Sequence, residues 1–74
     1  MNRMTLQKEI YPKSAIEETI QAFSRIAKIH MEEEKENYYI LTFEQCLADP
    51  QRTMDEFGNY VLAETIRTAG GMYD

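Results

Sequence analysis

Cysteine and histidine are nearly absent from this chain of 74 residues, which holds one of each, Cys46 and His30. One cysteine cannot form an internal disulfide, and one cysteine with one histidine cannot build a structural zinc site. A domain of this length buries only about 60 % of the surface that its unfolded chain exposes, so its core is thin. With both forms of cross-link excluded, association with a second subunit is the stabilisation that we expect. A lone free thiol also suits a reducing compartment, and we predict a cytoplasmic location.

Positive charge is scarce as well, because 8 Lys and Arg stand against 13 Asp and Glu, for a formal net charge of −5. An acidic surface repels phosphate groups, which argues against nucleic acid and anionic membranes as partners. No apolar run approaches the roughly 20 residues of a membrane-spanning helix, and no signal peptide is visible at the start. Hydrophobic residues make up 43 % of the chain. That content is typical of a globular fold, and the length predicts a single domain over residues 1–74.

The first half of the chain predicts a strand and then a helix. Residues 4–11 alternate between apolar and polar side chains, which is typical of a half-buried strand, and Pro12 would end it. Ser14 and Glu17 have the spacing of a capping box. Apolar residues then recur at steps of three and four, which predicts a helix of about five turns with His30 on its apolar stripe.

The second half predicts a strand and then another helix. Residues 38–44 are rich in aromatic and β-branched residues and form the clearest strand, with apolar side chains on both faces. Asp49 can cap the second helix, and Pro50 suits its first position. Gly70 and Gly71 would end it. Its apolar stripe comprises Met54, Phe57, Gly58, Val61, Leu62, Thr65, Ile66 and Ala69.

These elements define an α+β domain in the order strand–helix–strand–helix, with two helices packed on a small sheet. A strand–helix–strand unit normally places its two strands parallel to each other. A two-stranded sheet would leave both edges open, and residues 38–44 would be the most adhesive element. We therefore predict a homodimer, joined edge to edge or through the face that carries Tyr38 and Ile40. The alternative is a monomer in which the second helix covers that face.

The chain offers little catalytic chemistry. No Arg or Lys lies within four residues of Cys46 to activate its thiol, so Cys46 is interpreted as a small structural side chain. A Cys46–His30 dyad would lack an orienting third group, and His30 is interpreted as a packed or boundary histidine. The acidic run 32–36 lacks the spacing and glycine of a calcium loop, which indicates a solvated segment. We predict no catalytic residue, no cofactor and no metal, and a protein that is not an enzyme.

Tyrosines exceed what a small core needs, since the chain has five of them. Exposed tyrosine near arginine is typical of protein interfaces. The candidate interaction surface comprises Tyr38, Ile40, Thr42, Tyr60 and Arg67.

The combined pattern resembles the small HxsD-like proteins of the His-Xaa-Ser peptide-maturation systems. The matching segments are Tyr11-Pro12 before Ala15-Ile16, the pair Ala22-Phe23, the strand Tyr39-Ile40-Leu41-Thr42-Phe43, and Phe57-Gly58-Asn59-Tyr60-Val61-Leu62 followed by Ile66-Arg67. Members of that family accompany radical-SAM maturases and have no established catalytic residues to carry over. The resemblance implies an accessory role in peptide modification, through binding of a peptide or of the maturase.

Two functions therefore stand after the sequence alone. The first is a non-enzymatic interaction protein that binds a protein or peptide through an exposed strand edge or through the tyrosine-bearing surface. The alternative is a self-associating structural or regulatory domain that has no peptide ligand.

Overall fold

A three-stranded antiparallel sheet with two helices on one side forms the fold. The structure, a computed structural model, describes residues 2–34 and 37–70. Its elements are β1 (Asn2–Gln7), α1 (Lys13–Ala22), β2 (Lys28–Glu34), β3 (Tyr38–Glu44) and α2 (Pro50–Gly70). The strands lie in the order β1-β3-β2, and β3 pairs antiparallel with both neighbours. The predicted α+β class, with two helices on a small sheet, is confirmed.

The strand β2 was not predicted, because its residues were assigned to the end of the first helix and to the charged run. The helix α1 instead has only 10 residues, and a turn follows it. Within β2, Ile29 and Met31 pair with Phe43 and Leu41 of β3, while His30 between them points to the opposite face. Pairing with an apolar strand therefore overrides the helical spacing that the isolated sequence shows. The predicted place of His30 on a helical stripe is wrong.

The position of β3 also corrects the predicted sheet. Because β3 lies between β1 and β2, the strands at 2–7 and 38–44 are antiparallel, not parallel. The parallel relationship belongs to β1 and β2, which α1 connects and which β3 separates. Both edges of β3 are paired, so an edge-to-edge homodimer through this strand is excluded.

The predicted start of α1 is wrong, whereas that of α2 is confirmed. Pro12 occupies the cap position of α1, no side-chain capping bond is present there, and Ser14 lies inside the first turn. The Pro12 carbonyl accepts from the Ala15 amide at 3.1 Å, so the backbone starts this helix without a capping box. At α2, the Asp49 carboxylate accepts from the Arg52 amide at 3.0 Å, which is the predicted cap. Gly71, the second predicted terminating glycine, lies outside the described residues.

The core lies between the sheet and the two helices, and Phe57 of α2 is at its centre. The Phe57 ring makes edge-to-face contacts with Phe23 at 5.3 Å and with Phe43 at 5.2 Å between ring centroids. These contacts join the end of α1, the central strand and α2. The buried apolar residues are Leu6, Ala15, Ile16, Phe23, Ala27, Tyr39, Leu41, Phe43, Phe57 and Val61.

The predicted apolar stripe of α2 is only partly buried. Phe57 and Val61 are fully buried, whereas Leu62 is 43 % exposed and Ile66 is 61 % exposed. Successive helical residues are separated by about 100°, so Val61 and Leu62 cannot both face the core. The sheet and α1 cover one side of α2, and Leu62 lies beside that side.

We expect Phe57→Ala to remove most of the free energy of unfolding of the protein at 25 °C. Truncating a buried phenylalanine costs about 3–5 kcal/mol, and a domain of this size has a total stability of only about 5 kcal/mol. Leu62→Ala is the matched control on the same helix, with an expected loss of about 1 kcal/mol because the side chain is half exposed. Urea unfolding of both variants checks the prediction. Equal shifts in the two midpoints would contradict the central place of Phe57.

Candidate functional site

One face of the sheet has neither helix on it. The strand residues that alternate with the core positions point to this side, which we call the open face. It comprises Arg3, Thr5 and Gln7 of β1, Lys28, His30 and Glu32 of β2, and Tyr38, Ile40, Thr42 and Glu44 of β3. All of these side chains are exposed or half-buried, whereas Leu6, Tyr39, Leu41 and Phe43 on the other face are buried. The open face is therefore available for contact with another molecule.

The middle of the open face is apolar, and its surroundings are polar. Ile40 is half-buried and lies between Thr5 of β1 and Glu32 of β2. Tyr38, two residues earlier on the same strand, is 37 % exposed. An apolar centre with a polar rim is the usual composition of a protein interface. Three of the five predicted surface residues, those on β3, lie together here.

The charges on the open face are of both signs. Arg3 and Lys28 carry positive charge, while Glu32 and Glu44 carry negative charge. The His30 Nε2 atom lies 3.6 Å from a Glu44 carboxylate oxygen. A shallow depression of about 390 Å³ passes over this end of the sheet, lined by Arg3, His30, Met31, Glu32, Thr42 and Glu44. Mixed charge favours a polar peptide or protein surface over a ligand of one charge sign.

The other two predicted surface residues lie on the helical side of the molecule. The Tyr60 ring makes an edge-to-face contact with Phe23 at 5.7 Å. Arg67 donates two hydrogen bonds to the Glu64 carboxylate, at 2.9 and 2.8 Å, and one to Glu18 of α1 at 3.3 Å. The bonds to Glu64 raise the pKa of the Arg67 guanidinium above its ordinary value. Tyr60 and Arg67 therefore join α2 to α1, and they do not form one surface with Tyr38, Ile40 and Thr42.

Cys46 and His30 lie in different parts of the molecule. Cys46 is half-buried in the connection between β3 and α2 and packs against the core. The His30 side chain is exposed on the open face, where Thr42 is its cross-strand neighbour. Across the described part of the chain, no group of three His, Cys, Asp or Glu side chains is arranged to hold a metal ion. The same residues include no helix with the length and apolar character needed to cross a bilayer.

Glu33, within the predicted solvated run, has structural partners that the sequence did not indicate. Its carboxylate accepts from Lys8 at 3.0 Å and from Lys13 at 3.5 Å. The hydrogen bond from Lys8, with a smaller contribution from Lys13, lowers the pKa of Glu33 below its ordinary value of 4.5. The Lys8 ammonium also lies 5.1 Å from the centre of the Tyr39 ring. These contacts connect β2, the loop after β1 and the first turn of α1.

The order of elements and the open face define a small two-layer α+β domain, with helices on one side of its sheet only. Residues 6–69 match the family model described as "His-Xaa-Ser system protein HxsD", and the chain belongs to this family. The resemblance noted in the sequence is thereby confirmed. No curated protein and no solved structure matches the chain significantly.

We expect the ion pairs of Glu33 to make stability depend on pH. The folded-state pKa of Glu33 is lowered, so its contribution is present above the ordinary value of 4.5 and is lost as the pH falls through the folded-state pKa. Glu33→Gln should therefore lower the urea midpoint at pH 7 and have little effect at about pH 3. Glu32→Gln is the control, because Glu32 points to the open face, away from both lysines. The same loss at both pH values would show that charge is not the cause.

Proposed function

We propose that this protein is a non-enzymatic accessory component of the His-Xaa-Ser system that binds a protein or peptide partner. Membership of the HxsD family supports the system. The observation that carries the binding role is Ile40, an apolar side chain in the middle of an uncovered sheet face. The partner that we propose is the radical-SAM maturase or its precursor peptide, which is what the family resemblance implies.

The chemistry of the open face supports a binding role. Ile40 and Tyr38 offer apolar area, and Thr5, Thr42 and Glu32 around them offer hydrogen-bonding groups. Burying such a centre excludes water, while the polar groups select orientation. The role proposed for the open face is to hold the partner, with the chemical steps performed by the maturase.

We propose no catalytic role for Cys46 or His30. Cys46 packs against the core and has no basic residue within four positions along the chain to favour its thiolate. His30 is exposed beside Glu44 at 3.6 Å, which is longer than a hydrogen bond. A cytoplasmic location stays a prediction.

A self-associating domain is the second candidate, and the open face also favours it. Two copies can pack through this face as two sheets pack in a sandwich, with Ile40 and Tyr38 in the interface. Such a dimer cannot form by edge-to-edge pairing through β3, because β1 and β2 occupy both edges of β3.

Ile40→Lys should weaken partner binding at least tenfold, because a lysine at this position would lose its hydration in the complex. The measurement is calorimetric titration of the purified maturase, and separately of its precursor peptide, into the protein. Leu47→Lys is the matched control, since Leu47 is 79 % exposed outside the sheet. Unchanged affinity in Ile40→Lys would remove the open face from the proposal.

The same variant separates the two candidate functions. Sedimentation of the wild type at tens of micromolar should give a monomer mass if the open face is reserved for a different protein. A dimer mass that Ile40→Lys reduces to a monomer would favour the self-associating domain.

Cys46→Ser should leave partner binding and activity in peptide maturation unchanged, because the proposal gives the thiol a packing role only. A modest decrease in the urea midpoint is expected, since Cys46 is half-buried and a hydroxyl packs less well there. Loss of maturation with an unchanged midpoint would contradict the proposal and indicate thiol chemistry.

A further inference from the structure

The outer edge of β1 has backbone groups available for pairing. The Lys8 amide donates to the Asn37 carbonyl at 2.9 Å, which marks Lys8 as a residue whose backbone faces β3. Backbone direction alternates along an antiparallel strand. The amide and carbonyl groups of Leu6 and Met4 therefore face β3, while those of Arg3 and Thr5 and the amide of Gln7 point outward. The Gln7 carbonyl accepts from the amides of the turn that follows β1, at 3.1 and 3.0 Å. In the part of the chain that the structure describes, β1 pairs with β3 alone.

The two edges of the sheet differ in protection. Natural proteins protect edge strands with charged side chains and proline. The strand β2 carries charged or titratable side chains at five of its seven positions, as its sequence KIHMEEE contains Lys, His and three Glu. The strand β1, with sequence NRMTLQ, has one charged residue, Arg3, and no proline. The β1 edge is therefore the one better suited to accept another strand.

An exposed apolar stripe of α2 lies on the same side as this edge. A side chain at Gly58 would contact Met4 of β1, because its Cβ would lie 3.9 Å from the Met4 Cε atom. Leu62 and Ile66 follow Gly58 at steps of four, which places them on the same side of the helix. Tyr60 and Arg67 face α1 instead, so the stripe points away from α1 and toward the β1 edge. Leu62 and Ile66 are the exposed members of this stripe, which we call the α2 stripe.

The proportions of the two layers leave space for one more strand. Helices pack about 8–10 Å apart, and strands about 4.8 Å apart. Two adjacent helices therefore cover about four strands, and this sheet has three. Within the described residues, the order β-α-β-β-α follows the split β-α-β motif up to its last strand, which would pair with β1 and lie beneath the second helix. That fourth strand would lie where the α2 stripe is exposed.

We propose that the β1 edge and the α2 stripe together bind an extended segment of another polypeptide, which pairs antiparallel to β1 as a fourth strand. On β1, this segment pairs with the outward-pointing backbone groups of Arg3 and Thr5 and with the Gln7 amide. Its apolar side chains, at every second position, pack against Leu62 and Ile66. This proposal rests on the proposed binding function and assigns it a second surface, separate from Ile40.

A second copy of the chain does not fit this site well. Two copies joined through β1 would give six strands about 29 Å wide beneath four helices that need about 32–40 Å, so their α2 helices would be crowded at the junction. The chain has a net charge of −5, which favours a neutral or basic segment.

A tethered strand tests the site without a natural partner. The probe is the full chain followed by a flexible linker of about eight Gly and Ser residues and six residues that alternate valine with threonine. Hydrogen exchange at the amides of Arg3, Thr5 and Gln7 should slow at least tenfold, and the midpoint of thermal unfolding should rise. The control probe has lysine in place of valine and should give neither effect. Unchanged exchange with the valine probe would overturn the proposal.

Two variants of the tethered protein locate the contacts. Thr5→Pro removes an outward amide and spares the bonds between β1 and β3, so the protection of Arg3 and Gln7 should disappear, whereas Thr5→Ala should retain it. Ile66→Lys changes a side chain that is 61 % exposed, so the fold should persist while protection is lost. Full protection in a folded Ile66→Lys protein would overturn the role of the α2 stripe.

The experiment distinguishes a failure of this site from a failure of the proposed function. Protection by the tethered strand that Ile66→Lys removes supports the site even if the maturase does not bind. Maturase binding that Ile40→Lys weakens, with no protection by the tethered strand, overturns the site and leaves the proposed function in place.

Discussion

The antiparallel pairing of β3 with both of its neighbours is the constraint on which the rest of the structure depends. It places Tyr39, Leu41 and Phe43 beneath the helices and directs Tyr38, Ile40 and Thr42 to the opposite side. Because side chains alternate along a strand, the central strand fixes the core and the open face at once. A shift of one residue in this register would exchange the two sets, and the protein would lose its core.

The helical layer follows from this register through Phe57. Its ring contacts Phe43 below it and Phe23 beside it, so α2 can bury Phe57 only when the end of α1 lies next to it. The contacts of Tyr60 with Phe23 and of Arg67 with Glu18 extend along the same side of α2. This one-sided packing leaves Leu62 and Ile66 exposed on the other side of the helix.

The elements that could be predicted have strong local signals. β3 is marked by its aromatic and β-branched residues. The start of α2 is marked by Asp49 and Pro50. In contrast, β2 has only Ile29 and Met31 among charged residues, and its conformation depends on pairing with β3. Local spacing cannot distinguish such a strand from a frayed helix, since the stabilising contacts come from another segment.

The candidate site shows the same division between local and distant contacts. Tyr38, Ile40 and Thr42 were grouped correctly because alternation along one strand determines which residues share a face. Tyr60 and Arg67 lie on a different side of the molecule, beside α1, and the pair formed by Lys8 and Glu33 joins residues 25 positions apart. Contacts of this kind depend on the tertiary fold and leave no periodic signal in the sequence.

The open face and the β1 edge differ in what they recognise, and their positions connect them. The open face offers side chains, so it selects a partner by shape and apolar area, whereas the edge offers backbone groups, so it selects an extended conformation. Thr5 belongs to both, since its side chain lies on the open face and its backbone groups point to the edge. A fourth strand at β1 would place its own alternate side chains on the open face beside Thr5. One extended segment would thereby widen the surface around Ile40.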